Sequence, residues 1–408
     1  MRNKELGFNA MAMPNATKIS GKAAANEVRR GLLDGNGCQS LRCIAGYGAF
    51  GLAIALLPLR QALADSDDQH GRILPSVIVS STVPANGDVN PYGVAFVPKG
   101  FPSGGLLKPG DILVSNFNDN SNVQGTGTTI IKLSPNGQVS PSGSASVFFQ
   151  GTPPLGLTTA LGVLERGFVL VGNVPTTNGA LPTQPGSLLI LDSSANIVLT
   201  LTKANLLDSP WDLTIQDAGN FAKVFVSNVV SGTVTRLDLA IISGKPVVIG
   251  TSQIAKGYTV QANQAAVILG PTGLAYDAER NVLYVASTAD NAIFAVTNAG
   301  RRTAPPQNGT GTIIFQDNHL RGPLALVLAP NGHLITSNGD AVNGDVTQPS
   351  ELVEFTKDGK FVGESNVDAA QGGAFGIGIA ASDDDQVRFA AVDDNASDII
   401  VHTFHTEE

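Results

Sequence analysis

The sequence is poor in cysteine, histidine and charged residues. Of 408 residues, two are cysteine, five are histidine and 14% are charged, whereas globular proteins carry about 25% charged residues. So little charge excludes a coiled coil and a disordered polyelectrolyte. The net charge of −9 argues against a nucleic acid partner, because binding phosphates needs clustered Lys and Arg. The histidines have no H-x-x-x-H spacing, so a zinc site is not expected.

Residues 1–64 have the features of an export signal. They hold eight basic and three acidic residues, a small and apolar run at 44–57, and the tripeptide Ala-Leu-Ala at 62–64. This order is typical of a cleaved signal peptide, and the run is shorter than the roughly 20 residues that span a membrane. We therefore predict cleavage near Ala64/Asp65, a periplasmic or extracellular location, and no stable membrane insertion after cleavage.

Two export routes fit this leader. The stretch Arg-Arg-Gly-Leu-Leu at 29–33 resembles a twin-arginine signal, and the general secretory (Sec) route remains the alternative. Both cysteines, Cys38 and Cys43, lie in the leader, so the mature chain would have no disulfide or thiolate metal site. We predict a short linker at 65–75, one folded domain at 76–404 and a tail at 405–408.

Glycine and proline are abundant, with 46 and 23 residues, and they mark turns between short strands. A turn residue, a Pro, a small residue and an alternating apolar stretch recur six times, 51 to 63 residues apart. The copies begin at Asn90-Pro91, Pro153-Pro154, Ser209-Pro210, Gly270-Pro271, Gly322-Pro323 and Gly373-Ala374, and the sixth copy has Ala in place of Pro. A second apolar strand follows each copy, and tight hairpin turns such as Asp358-Gly359 join further strands.

This repeat predicts an all-β protein, a six-bladed β-propeller with four antiparallel strands in each blade. The sixth unit ends one strand short, while the strand at 77–83 has no unit of its own. We expect this N-terminal strand to close the ring as the outer strand of the last blade and to cover an exposed edge. A two-sheet sandwich would give no reason for the repeated turn–Pro motif.

The two strand motifs resemble the NHL-repeat family of β-propellers. Its units carry a Pro-x-Gly-Ile/Val-Ala first strand and a Tyr-Val-Ala-Asp second strand. The clearest copy reads Gly-Pro-Thr-Gly-Leu-Ala-Tyr at 270–276 and Leu-Tyr-Val-Ala-Ser at 283–287, followed by Asp-Asn-Ala-Ile at 290–293. Most units have Asn where the family often has Asp. The resemblance covers about residues 75–404 and implies the architecture alone.

In such blades, the starts of the first strands and the ends of the second strands share one face. Insertions at 117–128, 174–186 and 339–350 would lie on the same face. Long loops on a rigid scaffold are where binding residues concentrate. We therefore expect a partner, whether a small molecule, a glycan or a protein, to bind on this face.

Side chains with an oxygen atom end five of the second strands, namely Asn116, Asn173, Asn228, Asn338 and Asp393. Around the axis they could form a ring that suits Ca²⁺ or a polyol. Alternatively, each caps its own strand by bonding nearby backbone amides, as Asn and Asp do in turns. The sequence leaves both interpretations open.

Asp212 breaks the repeat, because all five sister copies have Gly or Ala at its position. Trp211, the single tryptophan, lies beside it, and Asn90 precedes the first unit on the same rim. We predict that these residues belong to a binding site. A carboxylate near the axis needs a partner, a cation or water. The alternative is a turn aspartate that caps local amides.

Two functions from different classes fit these observations. The first is a non-catalytic exported propeller that binds a ligand on its looped face. The second is a divalent-metal-dependent hydrolase or lactonase, from a more distant resemblance to gluconolactonase-type propellers, which hold an axial metal through Glu, Asn and Asp. That resemblance implies Asp212 and Asn228 as ligands of Ca²⁺, with Asn90 in place of the Glu. A quinone-dependent dehydrogenase would need basic and histidine residues that the motifs lack.

Overall fold

The computed structural model describes residues 76–135, 139–182, 184–339, 351–368, 373–381 and 386–405. The predicted export signal, the predicted linker and residues 406–408 of the predicted tail lie outside the described residues. Within these ranges the regular secondary structure is β-strand apart from one short 3-10 helix at Lys203–Asn205, and turns and loops join the strands. No helix of the described segments has the length and hydropathy that crossing a membrane requires.

The described strands form six four-stranded antiparallel sheets and one small hairpin. After a first strand, β1 (Ser76–Ser81), blade 1 contains β2 (Val89–Phe96), β3 (Ile112–Asn118), β4 (Thr129–Leu133) and β5 (Val147–Gln150). Blade 2 contains β6 (Leu157–Leu164), β7 (Phe168–Asn173), β8 (Ser187–Asp192) and β9 (Ile197–Leu201). Blade 3 contains β10 (Pro210–Asp217), β11 (Phe221–Asn228), β12 (Thr233–Ile242) and β13 (Lys245–Lys256).

The hairpin of β14 (Gln261–Asn263) and β15 (Val267–Leu269) lies between blades 3 and 4 in the sequence. Blade 4 contains β16 (Pro271–Asp277), β17 (Val282–Ser287), β18 (Ala292–Thr297) and β19 (Thr312–Phe315). Blade 5 contains β20 (Pro323–Leu328), β21 (His333–Asn338), β22 (Glu351–Thr356) and β23 (Phe361–Asn366). Blade 6 contains β24 (Ala374–Ala381), β25 (Gln386–Asp393) and β26 (Asp398–His405), together with β1.

The first strands of the blades form the inner wall of a ring. β2, β6, β10, β16, β20 and β24 each stand at the edge of their sheet, with a partner strand on one side. Each contacts the first strands of the two neighbouring blades, and β24 contacts β2. Six four-stranded blades arranged in this way form a six-bladed β-propeller. The predicted fold class is confirmed.

Blade 6 takes its outer strand from the other end of the described chain. β1 runs antiparallel to β26, with Ser76 opposite Thr403 and Ser81 opposite Asp398. Just after β1, the Thr82 hydroxyl donates a hydrogen bond of 2.7 Å to the carbonyl oxygen of Ser397. β1 therefore covers an edge of β26 that would otherwise present unpaired amide and carbonyl groups.

A β-bulge lies near the start of each first strand. In blade 3, Pro210 pairs with Asn228 and Leu213 pairs with Val226. Two residues of β10 therefore lie between these pairs, opposite a single residue of β11, so β10 has one extra residue. Blades 1, 4, 5 and 6 show the same shift. The bulge places Asp212 where the other blades have Gly93, Gly273, Ala325 and Gly376. Such a bulge bends the strand and redirects the side chain at the bulge.

Blade 2 departs from the alignment that its sequence motif predicts. Leu157, rather than Pro154, pairs with Asn173, and Leu161 pairs with Val171. Three residues of β6 therefore lie between these two pairs, opposite a single residue of β7, which is one residue more than in the other blades. Pro154 therefore lies outside β6, whereas the equivalent Pro91, Pro210, Pro271 and Pro323 lie within the first strands of their blades. The longer bulge shifts the start of pairing and leaves the two prolines in the loop before β6.

Apolar side chains fill the space between neighbouring blades. Between blades 1 and 2, Ala95, Leu113 and Ile130 pack with Leu161 and Val169. Because successive residues of a strand point to opposite faces, each blade supplies one apolar set to each neighbour. Burying one such large side chain contributes about 1.5–3 kcal/mol, so the ring is held together mainly by packing between sheets.

Candidate functional site

Aromatic side chains close the axis on one face of the propeller. This is the face where the first strands start and where residues 119–128, 174–182 and 184–186 form loops, and we call it the insert face. Residues 340–350 of the third predicted insertion lie outside the described residues. The ring centroid of Tyr92 lies 4.6 Å from that of Phe117 and 4.9 Å from that of Phe375. Trp211 packs edge to face on Phe117 at 5.5 Å. These four residues, the axial plug, are at most 5% exposed.

The β14–β15 hairpin packs against the axial plug. Val267 and Ile268 belong to the same apolar cluster as Trp211. Val267 has a φ of 60°, which is rare for a β-branched residue because its Cβ crowds the backbone there. The axis of the insert face is therefore covered by side chains, and no open ring of polar groups surrounds it among the described residues.

Three of the predicted ring residues make local hydrogen bonds. In each, the side-chain oxygen accepts a backbone N–H that lies just before the first strand of the same blade. The pairs are Gly156 to Asn173 at 2.9 Å, Asp208 to Asn228 at 2.9 Å, and Arg321 to Asn338 at 3.0 Å. Each amide therefore ties the end of the second strand to the start of the first strand. This is the arrangement that the strand-capping interpretation expects.

Asn116 and Asp393 end their strands with other partners. The Nδ2 of Asn116 donates to the Thr82 carbonyl at 3.0 Å and to the Thr129 hydroxyl at 3.1 Å. The Oδ1 of Asp393 accepts the N–H of Asn395 at 3.0 Å. Burial, and then the nearby Asp368, raise the pKa of Asp393. None of these hydrogen bonds links one predicted ring residue to another.

Asp212 lies in the bulge of β10 and is 8% exposed. Its Oδ1 accepts the N–H of Leu213 at 2.7 Å, and its carboxyl group also accepts the backbone N–H of Leu274 in blade 4. Burial raises the pKa of Asp212 well above its usual value, although the two backbone hydrogen bonds lower it. Asp212 therefore bridges the first strands of blades 3 and 4, and its surroundings favour the neutral carboxyl group.

Two other predicted site residues have buried polar atoms without a partner. The Oδ1 of Asn90 and the Nε1 of Trp211 lack a hydrogen bond to any described residue. Asn90 has a φ of 58° at the start of β2, in the left-handed region that Asn tolerates. Trp211, expected at the rim, is 1% exposed and lies inside the axial plug. Trp211 therefore belongs to the covered axis of the insert face, and Asn90 is buried at the start of β2.

The predicted metal ligands do not fit an axial divalent cation. Ca²⁺ takes six to eight oxygen ligands, but Asp212 is the one carboxylate among the described residues that line the axis. The side-chain amide of Asn228 bonds Asp208, Thr233 and Thr235. Within the described segments, no group of three or more His, Cys, Asp or Glu side chains could hold a metal ion.

A cleft between blades 1 and 2 gathers polar side chains on the insert face. This blade 1–2 cleft has a volume of about 510 Å³. Its polar lining consists of two carboxylates, three side-chain amides and four threonines, and no Lys, Arg or His is among the described residues that line it. The carboxylates and amides are Asp88, Asp119, Asn86, Asn120 and Gln150. The cleft is therefore rich in hydrogen-bond acceptors and carries no positive side chain.

The two carboxylates fix the loops that form this cleft. The Oδ2 of Asp88 accepts hydrogen bonds from the N–H of Thr128 at 2.8 Å and from the hydroxyls of Thr128 and Thr129 at 3.0 Å each. The Oδ1 of Asp119 accepts the N–H groups of Ser121 at 3.0 Å and Val123 at 3.2 Å. Asp88 is 3% exposed. The cleft is therefore organised before any ligand arrives.

The loops of blades 1 and 2 meet beside the cleft at Gly125. The N–H of Thr176 donates to the Gly125 carbonyl at 2.8 Å, and its hydroxyl donates to the Gln124 carbonyl at 2.5 Å. Gly125 has a φ of 73°, and a Cβ there would lie 2.5 Å from the Thr176 methyl group. Only glycine combines this conformation with so close an approach.

Sequence reasoning did not predict this cleft. The density of Asn, Asp, Ser and Thr at 117–128 was a signal, since such residues are typical of structured turns. The partners of that segment come from residues 86–88, 150–155 and 176–177. Only the packing of two blades brings these segments together.

Comparisons with protein-family models and with characterised protein sequences give no match. Among solved structures, a gluconolactonase from Xanthomonas campestris is 13% identical, with a TM-score of 0.47 over 81% of this chain and 98% of that chain. Regucalcin from Agrobacterium tumefaciens, described as a calcium-binding protein, is 14% identical, with a TM-score of 0.44 over 80% of this chain and 97% of that chain.

A nidogen–laminin complex is a third similar structure, 9% identical, with a TM-score of 0.43 over 74% of this chain and 97% of that chain. Likeness at this level carries no argument about function, because one fold hosts many functions. The six-bladed fold rests instead on the strand pairing described above. The NHL resemblance stays a prediction from the motifs.

Proposed function

We propose that this protein is an exported β-propeller that binds a neutral, hydroxyl-rich ligand, such as a glycan, in the blade 1–2 cleft. The observation that carries the proposal is the composition of the cleft: two carboxylates, three amides and four threonines, without a positive side chain among the described lining residues. Carboxylates accept hydrogen bonds from hydroxyl groups, and side-chain amides both accept hydrogen bonds from hydroxyl groups and donate to them. An anionic ligand would meet no counter-charge there.

The shape of the insert face also supports the blade 1–2 cleft as the binding site. The axial plug covers the centre, while the blade 1–2 cleft remains open beside it with a volume of about 510 Å³. Pockets that hold small ligands usually measure about 300–1,000 Å³. The hydrogen bonds of Asp88 and Asp119 hold the loops in place, and preformed loops lower the entropic cost of binding.

The metal-dependent hydrolase remains the second function from the sequence, and no contact within the described part of the chain favours it. Asp212 bonds two backbone amides, and the amide of Asn228 is used within blade 3. Asn90 and Asp212 are the remaining donors that the resemblance implies, too few for the six to eight oxygens around Ca²⁺. The binding function therefore takes precedence.

A titration of neutral oligosaccharides tests the proposal. The purified chain is titrated calorimetrically with glucans, mannans and chitooligosaccharides, each in the presence of EDTA. We expect at least one to bind, and Asp119→Asn to weaken that binding roughly 10- to 100-fold, because a hydrogen bond to a charged group contributes about 1.5–3 kcal/mol.

Asp192→Asn is the matched control. The Oδ1 of Asp192 accepts the N–H groups two and four residues ahead, Ser194 and Asn196, at 2.9 Å each, as Asp119 does with Ser121 and Val123. Asp192 lies outside the blade 1–2 cleft, so this variant should bind like the wild type. Absence of glycan binding, or equal loss in both variants, contradicts the proposal.

A further inference from the structure

The outer strand of blade 5 contributes less to packing than the other outer strands. At the other five interfaces the outer strand of the preceding blade supplies at least one apolar side chain to the cluster between the sheets, as Phe148 and Phe315 do. β23 supplies none of the described members of the cluster between blades 5 and 6. Gly363 and Ser365 stand there instead, and a groove remains between the outer parts of the two sheets, which we call the blade 5–6 groove.

Strand pairing shows which side chains of blade 5 face this groove. Residues directly opposite each other on antiparallel strands share a face of the sheet. Ile335, Glu354 and Gly363 form one such row across β21, β22 and β23. Leu352 and Ser365 form the next row on the same face, two residues along each strand. Leu352 belongs to the cluster between blades 5 and 6, so both rows face blade 6.

The opposite wall, on blade 6, is apolar and partly exposed. Its rows pair Phe389 with His402 and Val387 with Phe404, and Val77 of β1 continues the first row beyond His402. Phe404 is 42% exposed and Val77 is 51% exposed. Burial lowers the pKa of His402, so its imidazole is neutral at pH 7 and above. A ligand with an apolar body would remove part of this wall from water.

The charged residues among the described lining are both acidic, Glu354 and Glu364, and no Lys or Arg is among them. Of the two, Glu354 lies in the row that faces blade 6. Its Oε1 lies 2.5 Å from the Nδ1 of His333 and accepts a hydrogen bond from the Nδ2 of Asn331 at 3.4 Å. Its Oε2 bonds none of the described residues, so this oxygen can accept a hydrogen bond from a ligand.

We propose that the blade 5–6 groove binds a small organic cation, a primary amine with an apolar body. The ammonium group bonds Glu354, and the body lies against Phe389 and Phe404. Two adjoining cavities of about 280 and 200 Å³ form the groove, and both are lined by Leu352, Ser365, Phe389 and Phe404. The larger cavity also contains Glu354 in its lining. It holds roughly nine non-hydrogen atoms if each occupies about as much space as a water molecule in the liquid, ~30 Å³.

Phenethylamine and its uncharged analogue 2-phenylethanol test the proposal, because they have nearly the same size and shape and differ in charge. Binding of each to the purified chain is measured by calorimetry at pH 8 and low salt, where the amine is charged and weakly screened. We expect the amine to bind at least threefold more tightly than the alcohol. Added salt should narrow this difference, since it screens a partly exposed ion pair.

Two charge variants locate the ammonium group. Glu354→Gln should weaken phenethylamine binding roughly three- to tenfold and leave 2-phenylethanol binding unchanged, because the change removes the charge and keeps the shape. Glu364→Gln is the matched control, since it also removes one negative charge beside the groove. Glu364 pairs with Val353, which packs between blades 4 and 5. Its side chain therefore points to the other face of the sheet, and the variant should bind both compounds like the wild type.

A third variant closes the groove without disturbing the core. A Cβ at Gly363 would have no atom within 4 Å, so Gly363→Ile has room for its side chain and fills the space beside Glu354. This variant should weaken the binding of both compounds at least tenfold, while urea unfolding shows no loss of stability. If Gly363→Ile does not fold, the pair of charge variants still decides the proposal.

Four outcomes overturn the proposal: no binding of the amine, equal affinity for the amine and the alcohol, equal loss in Glu354→Gln and Glu364→Gln, or wild-type binding in a folded Gly363→Ile. The blade 5–6 groove shares no described lining residue with the blade 1–2 cleft. Amine binding and glycan binding therefore test different sites, and either proposal can fail alone.

Discussion

Gln124 and Ala265, 141 residues apart in the chain, are joined by a hydrogen bond: the Nε2 of Gln124 donates to the carbonyl oxygen of Ala265 at 2.6 Å. The bond ties the blade 1 insert to the tip of the β14–β15 hairpin, whose Val267 and Ile268 pack with Trp211. This hairpin forms a two-stranded sheet of its own. Since such a hairpin is marginally stable alone, its position over the axis depends on these contacts.

Replacing Gln124 by Ala should loosen the hairpin and expose Trp211. We expect acrylamide to quench the fluorescence of this single tryptophan about twice as efficiently in Gln124→Ala as in the wild type. Unfolding in urea should show a loss of about 0.5–1.5 kcal/mol, the usual contribution of one hydrogen bond. The matched control is Gln316→Ala, because Gln316 Nε2 donates to the Asp290 carbonyl at 3.1 Å. Equal quenching in both variants would show that Gln124 does not hold the hairpin.

The stability of the protein should respond to pH through Asp212. Burial raises its pKa in the folded state, above about 3.9 in the unfolded chain. The folded state therefore binds the proton more tightly. The resulting stabilisation is complete below about pH 4 and is lost as the pH rises through the folded-state pKa. The side chain of the Asp212→Asn variant cannot titrate. In urea unfolding from pH 4 to 8, the free energy of unfolding of the variant should therefore rise relative to that of the wild type as the pH rises.

Asp192→Asn should show the opposite trend. Burial raises the pKa of Asp192, but the hydrogen bonds from Asn196 and Ser194 outweigh it, so that its pKa is lowered. A lowered pKa contributes stability above about pH 4, which is lost as the pH falls through the folded-state pKa. The free energy of unfolding of Asp192→Asn should therefore decrease relative to that of the wild type as the pH rises from 2 to 5. A pH trend of the same sign in both variants would contradict these assignments.

Phe117 should contribute strongly to stability through the axial plug. Its side chain is fully buried and stacks on Tyr92 at 4.6 Å. Truncating a buried Phe to Ala costs about 3–5 kcal/mol, because apolar contacts are lost and a cavity remains. Phe117→Ala should show this loss in urea unfolding. Phe221→Ala, at a residue 60% exposed, should keep a free energy of unfolding within about 0.5 kcal/mol of the wild type. An equally large loss in Phe221→Ala would show that burial does not explain the contribution of Phe117.

Gly376 should be essential to the junction of blades 6 and 1. A Cβ at this position would lie 1.7 Å from the carbonyl oxygen of Tyr92, so a methyl group there forces two backbones apart. Overpacking of this kind costs about 1–3 kcal/mol or more, and we expect Gly376→Ala to reach the upper part of that range in thermal or urea unfolding. Gly363→Ala is the control, since nothing lies within 4 Å of its Cβ. Equal stability of the two variants would refute the close approach.

The proposed export can be tested on the full chain in a bacterial host. Mass spectrometry of the periplasmic or extracellular fraction should find a protein that starts at Asp65, because Ala-Leu-Ala at 62–64 fits a cleavage site. Replacing Arg29 and Arg30 by Lys should block export by the twin-arginine route and leave the Sec route unaffected. A full-length product confined to the cytoplasm would contradict export.

The sequence by itself determined the ring and its repeat. Six copies of one motif, five of them with Pro and the sixth with Ala374, each precede a second strand ending in Asn, Ser or Asp. They predicted six similar sheets, because the motif encodes a local bend and a period-two apolar pattern. Local chemistry also explains why Asn173, Asn228 and Asn338 cap their own blades: their partners lie in the same repeat.

Only the tertiary structure decided what lies between the repeats. It gave blade 2 a longer bulge, so that Leu157 rather than Pro154 pairs with Asn173. It buried Trp211 in the axial plug, joined Asp212 to Leu274 of the next blade, and assembled the blade 1–2 cleft from four segments. Hydrogen bonding within one repeat depends on near neighbours in the chain. Contacts between blades depend on how side chains of many sizes fill a shared space, and no local pattern records that.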